Sequence, residues 1–183
     1  MLHRTERQIL KRIREGDTEA FEAFVNLYYK SVYSLFAYLT GDRNIAEDLT
    51  QDTFTCAWTS INTYKGHASL KTWLHRIAYN KFVDSERKVR QTSAFVSGLA
   101  KNNYDIQESS EPFSEIAKDE HSQILFEAMR KLDPTDYAVI VLHYIQDLSY
   151  REMAVVLKEP VGTIKWRTSR AMKKLKEILT GRI

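Results

Sequence analysis

The sequence predicts an all-α protein built as two small helical domains joined by a flexible acidic linker, and three observations carry that expectation. Only three Pro and six Gly punctuate 183 residues, so long stretches keep apolar side chains at helical spacing. No two alternating apolar and polar runs flank a short turn signal, which removes the hairpins that a β fold needs. Between Gln91 and Lys118 the helical spacing dissolves into QTSAFVSGLAKNNYDIQESSEPFSEIAK, whose Ser, Asn and carboxylate content is that of a linker. The expected boundaries are residues 1–90 for the first domain, 91–118 for the linker and 119–183 for the second domain.

The elements follow in order from local chemistry. Gly and Asx punctuation divides the first domain into helices over Ile9 to Glu15, Thr18 to Thr40, Asn44 to Ile61 and Ser69 to Lys88. Polar residues at each start can accept hydrogen bonds from the unpaired first-turn N–H groups. In the second domain, Ser149 and Glu152 are spaced as a capping box for a helix running to Leu157. Pro160 then turns the chain and opens another helix, because Pro is tolerated at a helix start and not in its interior. Two helices joined by so short a turn have the layout of a helix-turn-helix.

Composition bounds the function classes. Hydrophobic residues at 43% and charged residues at 28% describe a chain able to bury a core. A net charge of +3 is too mild to identify a nucleic-acid binder by itself, so the placement of charge matters. Cys56 is the only cysteine, which excludes an intrachain disulfide and a cysteine-rich metal site. The start MLHRTERQIL carries charges where a signal peptide needs apolar residues, and the longest apolar run, YAVIVLHYI, falls far short of the roughly 20 residues that span a bilayer. A cytoplasmic chain with no direct membrane insertion is expected. Glycine-rich phosphate loops, paired metal ligands and nucleophile–base pairs are missing from the sequence, so no catalytic residue, no metal and no cofactor is expected and the chain does not read as an enzyme.

At about 100° per residue the last helix separates into two faces. Ile164, Thr168, Ala171, Leu175, Ile178 and Leu179 share one side, and Lys165, Trp166, Ser169, Arg170 and Lys173 share the other. A solvated amphipathic helix has the same pattern, but the capped partner helix and the Pro turn favour a recognition helix held against duplex DNA. Arg167 and Lys174 flank that face and suit phosphate contacts, as does Arg151 at the start of the preceding helix. The helix from Asn44 to Ile61 separates likewise: Ala46, Leu49, Thr53 and Ala57 lie opposite Glu47, Asp48, Gln51, Asp52 and Thr55, with Phe54 and Trp58 at the border. An acidic face edged by aromatics suits a basic protein partner, although Phe54 and Trp58 also fit a core role, Trp58 equally well. The loop NTYKGHASLKTW combines a ring, polar groups and two Lys ahead of a Ser cap, which is chemistry able to hold an unstacked base.

Three segments, AEDLTQDTFTCAW, YKGHASLKTWLHRIAYNKFVD and LSYREMAVVLKEPVGTIKWR, resemble in that order and spacing the extracytoplasmic-function (ECF, group 4) sigma factors of bacterial RNA polymerase, in the sigma-70 family. The resemblance covers nearly the whole chain. It implies a σ2-like helical bundle that binds the β′ clamp helices of core RNA polymerase and melts the minus-ten element, followed by a σ4-like helix-turn-helix that binds the β flap tip and reads the minus-thirty-five element of promoter DNA. It implies polymerase contacts at Asp48, Gln51, Asp52, Phe54 and Trp58. Minus-ten contacts carry over to Tyr64, Lys65, Gly66, His67, Ala68 and Ser69 in the loop, and to Lys71, His75, Arg76, Asn80 and Lys81 on the following helix. Minus-thirty-five contacts carry over to Tyr150, Arg151, Lys165, Trp166, Arg167, Ser169, Arg170, Lys173 and Lys174. An anti-sigma factor and a stress or envelope regulon are further implications. Trp166 and Met172 depart from the family, where a small polar and a basic residue are common. The acidic linker, with Asp105, Glu108, Glu111 and Glu115, resembles family linkers that thread through the polymerase cleft. A helix-turn-helix regulator of the response-regulator effector type is the alternative; it accounts for the second domain and leaves the acidic helix and the loop before Ser69 unexplained.

Overall fold

A computed structural model describes residues 4–97 and 120–181. Among them there are helices and turns and no strand: α1 (Arg4–Arg14), α2 (Thr18–Thr40), α3 (Arg43–Ser60), a 3-10 turn (Ile61–Thr63), α4 (Leu70–Ser97), α5 (Glu120–Arg130), α6 (Pro134–Ile140) continued by a π-helical turn (Val141–Ile145), α7 (Tyr150–Leu157) and α8 (Val161–Leu179). The acidic linker residues Asp105 to Glu115 lie outside the described residues.

Caps set the helix ends. Asp17 accepts from the Ala20 N–H at 3.0 Å to start α2, and Gly41 ends it at φ +68°, a left-handed conformation that suits glycine. Asp42 accepts from the Ile45 N–H at 3.0 Å to start α3. The capping box of α7 is formed as the spacing predicts: Glu152 N–H donates to Ser149 Oγ and Ser149 N–H donates to the Glu152 carboxylate at 2.9 Å. One expectation fails at the end of α4, which continues to Ser97, past Gln91 where the linker composition begins. Residues 91–97 hold no Pro or Gly, and Ser and Thr disfavour a helix only slightly, so nothing stops it there.

The first-domain core is built on Phe24, Val32, Leu35 and Phe36 of α2, with Ala46 and Ala57 of α3 and Leu70, Leu74 and Ala78 of α4 packed around them. The second packs Leu142, Leu148, Met153, Ile164 and Ala171 where α6, α7 and α8 meet. The two units dock on each other, α4 against α7 and α2 against the π turn.

Candidate polymerase and nucleic-acid interfaces

On α3 the apolar stripe faces inward as its spacing predicts: Ala46, Leu49, Thr53 and Ala57 are buried. Asp48, Gln51 and Asp52 are exposed side by side on the outer face. Asp52 meets Lys81 of α4 at 3.7 Å, so Lys81 is drawn to the acidic face. Phe54 corrects the expectation of an exposed aromatic edge. It is buried, edge-on to Phe24 and stacked near Tyr29, because its position at the border of the stripe turns it toward α2. Trp58 is half-buried, edge-on to Phe21 at 4.8 Å between ring centres.

The loop before α4 and the first turns of that helix line a cleft of about 340 Å³. Lys65, His67, Ala68, Arg76 and Asn80 contribute to its wall with Trp73 and Ile77. Gly66 takes φ +77°, and Ser69 caps α4 by accepting from the Thr72 N–H at 3.0 Å. Tyr64 departs from the expected role of a free stacking surface: its ring is buried against Trp73, and its hydroxyl donates to the Ala68 carbonyl at 2.6 Å. It braces the loop. Val155 of α7 also lines this cleft, so the second domain closes one side of it.

Lys71 and His75, expected to contact nucleic acid, face the second domain instead of solvent. Lys71 Nζ donates to the Gln146 carbonyl at 2.5 Å, and His75 is fully buried with its Nε2 3.1 Å from Gln146 Oε1. Gln146 also accepts from the Ser31 hydroxyl and donates to the Ser34 hydroxyl, each at 2.8 Å. Thr72 donates to Glu152 at 3.0 Å, so the capping carboxylate of α7 serves the interface as well. The π turn places Gln146 here, since its N–H reaches back five residues to the Val141 carbonyl. Spacing gave no sign of Gln146, Ser31 or Ser34, because their partners lie far away in the chain.

Burial pushes the His75 imidazole down from its ordinary pKa, against the opposing hydrogen bonds of Gln146 and the Lys71 carbonyl; the Lys71 charge lowers it further and Glu152 raises it. The docked arrangement thus prefers neutral His75. Its contribution to docking is complete above the free imidazole value of about 6.5 and is lost as pH falls through the lower docked value. Acidification from about pH 7.5 to about 5.5 is expected to expand the chain in small-angle scattering. His75→Gln should flatten that dependence; an equal pH response in the variant would place the titration elsewhere.

On α8 the apolar face is buried through Ile164, Thr168, Ala171 and Leu175, and Lys165, Trp166, Ser169 and Lys173 are exposed on the other side. Three basic side chains of this helix are engaged within the domain. Arg167 holds Glu159 with both Nε and Nη2, at 2.9 and 3.2 Å, and donates to Thr135 at 3.0 Å. Arg170 holds the fully buried Asp136 at 2.9 and 2.6 Å. Lys174 reaches Asp133 at 3.3 Å. Arg151 is exposed, and Tyr150 is half-buried with its ring stacked on His143. Asp136 was missed in sequence; the signal that could have found it is a carboxylate directly ahead of the apolar run YAVIVL, where burial calls for a partner.

Among the described residues no cluster of His, Cys, Asp and Glu is placed to hold a metal, and no helix is long and apolar enough to cross a membrane.

Comparison with known proteins places this chain in a family. Sigma-70 region 2 matches residues 24–92, and Sigma-70 region 4 matches residues 122–175. The chain is 31% identical over 176 residues to the ECF RNA polymerase sigma factor SigW of Bacillus subtilis, an alignment covering 93% of this chain and 94% of that protein. Its fold matches CnrH, solved in complex with the cytosolic domain of CnrY, at a TM-score of 0.73 and 22% identity, over 97% of this chain and 98% of that one. It matches the sigma factor RpoE, solved with the anti-sigma factor NepR from Bartonella quintana, at a TM-score of 0.71 and 26% identity, over 87% and 96% of the two chains. The chain therefore belongs to the ECF sigma factors of the sigma-70 family.

Proposed function

We propose that this chain binds core RNA polymerase through the outer face of α3, melts the minus-ten element at the cleft before α4, and reads the minus-thirty-five element with α8. The carrying observation is that an exposed carboxylate face and an exposed basic helix face occur on separate domains of one chain, in the order region 2 then region 4. The partners are the β′ clamp helices for α3 and the β flap tip for the second domain. The chain acts in the cytoplasm as a non-enzymatic specificity subunit for a stress or envelope regulon. An anti-sigma factor is the proposed regulator, supported by the solved relative RpoE, which is bound to one.

The docked arrangement fits a resting form. Two promoter elements about 25 base pairs apart are separated by about 85 Å at 3.4 Å per base pair. A compact chain of this length is about 40 Å across. The domains must part before both elements are engaged, and parting uncovers Lys71, His75 and the Val155 side of the cleft. Lys71 and His75 can serve promoter DNA only in that open form.

Reconstitution tests the proposal. The chain mixed with bacterial core polymerase is expected to comigrate with it on a sizing column, to support runoff transcription from selected promoters, and to bind duplex DNA poorly alone. Tight operator binding as a dimer, without polymerase, would favour the response-regulator type instead.

A further inference from the structure

We infer that Asp136 is a positioning residue for base recognition: buried in the second-domain core, it orients the Arg170 guanidinium so that the free end of its fork meets a guanine in the major groove. This rests on the proposed DNA-reading role of α8.

The chemistry is in the donor count. A guanidinium carries five N–H donors in one plane. Asp136 takes one from Nε and one from Nη2, at 2.9 and 2.6 Å, and so occupies the side edge of the group. Two donors on Nη1 and one on Nη2 are left at the end of the fork, which is the pair geometry that matches O6 and N7 of guanine. Asp136 is fully buried while the Arg170 side chain remains 40% exposed, so the anchor is inside the core and the working end is outside. The face of the guanidinium is covered by Trp166, whose ring centre lies 4.5 Å from Arg170 Cζ. The indole, 56% exposed, is held in turn by the group it covers. A free arginine on a helix surface must give up its rotamer freedom on binding; here that ordering is already done by a carboxylate below and a ring above.

The pairing also sorts the basic face. Asp136 cancels the formal charge of Arg170, so this side chain offers directed donors more than net attraction for phosphate. Lys165 and Lys173, exposed on the same face, offer charge without a fixed direction.

The test is selection of minus-thirty-five sequences from a randomised promoter pool by holoenzyme made with the full chain and core polymerase. Wild type should favour one G·C pair strongly, and Arg170→Ala should lose that preference by about tenfold or more. Asp136→Asn keeps the shape of the side chain and should lose the same preference at the same position, with core binding and minus-ten selection unchanged. Added to Arg170→Ala it should change nothing further. Arg170→Lys, which keeps a cation beside the buried carboxylate, should lose the preference too, since one ammonium cannot serve carboxylate and base together. Full preference retained by Arg170→Lys, or by a folded Asp136→Asn while Arg170→Ala loses it, would overturn the positioning role. Where Asp136→Asn does not fold, Arg170→Lys decides alone. Identical selections by wild type and Arg170→Ala would instead remove Arg170 from DNA reading, and the positioning role with it.

Discussion

Core RNA polymerase is expected to bind this chain at least about a hundredfold more weakly when Asp48→Lys and Asp52→Lys are combined, because like charges brought together at an interface cost several kcal/mol. The same change should leave folding nearly untouched. Both side chains are exposed on α3, and the ion pair of Asp52 with Lys81 is 3.7 Å long with Asp52 65% exposed. A surface pair of that kind is worth at most about 1 kcal/mol. Phe54→Ala supplies the contrast. Its ring is buried among Phe24 and Tyr29, so truncation should cost about 3–5 kcal/mol of stability and lose polymerase with the fold. Comigration on a sizing column beside a thermal melt separates the two. Undiminished affinity of the double charge reversal would remove α3 from the polymerase interface.

That contrast also marks what the sequence could and could not show. The buried stripe of α3 and that of α8 were legible because helical spacing is a local property, repeated every three or four residues within one segment. Phe54 was ambiguous for the same reason: at the border of a stripe, the neighbouring helix decides which way a ring turns. Tyr64 sits in a loop, where no period operates, and its burial depends on Trp73 and on the carbonyl of Ala68. On α8 the basic residues were all legible, but their partners Asp133, Asp136 and Glu159 come from the preceding elements, and only the packed domain assigns each cation its carboxylate. The docking of the two domains was beyond sequence reading altogether. Gln146 meets Ser31 from 115 residues away and His75 from 71, and a single polar side chain leaves no pattern.

Gln146→Ala is expected to open the docked arrangement, and the size of the effect follows from what the amide satisfies. In the docked form its two ends serve the hydroxyls of the partly buried Ser31 and Ser34 and lie beside His75 Nε2, with Gln146 and His75 themselves buried. Removing the amide leaves His75 Nε2 with only the Ser31 hydroxyl at 3.3 Å and takes from Ser34 the N–H it accepts, whereas in the open form water supplies both. Leaving a buried polar group unsatisfied costs about 1–3 kcal/mol, which raises the open population on the order of ten- to a hundredfold. The Lys71 bond should survive, since it goes to the backbone carbonyl of residue 146. So should the bond from Thr72 to Glu152, which keeps the variant from opening completely. The radius of gyration from small-angle scattering should therefore rise, and the free chain should bind single-stranded minus-ten DNA more tightly, since Val155 withdraws from the cleft. Helicity should not change, because the π turn that carries Gln146 is held by its backbone and by the buried Leu142 and Leu148 on either side. Unaltered scattering together with unaltered DNA binding would mean that the apolar contact of α4 with α7 is sufficient to hold the domains together, and that the polar cluster only fills the space between them.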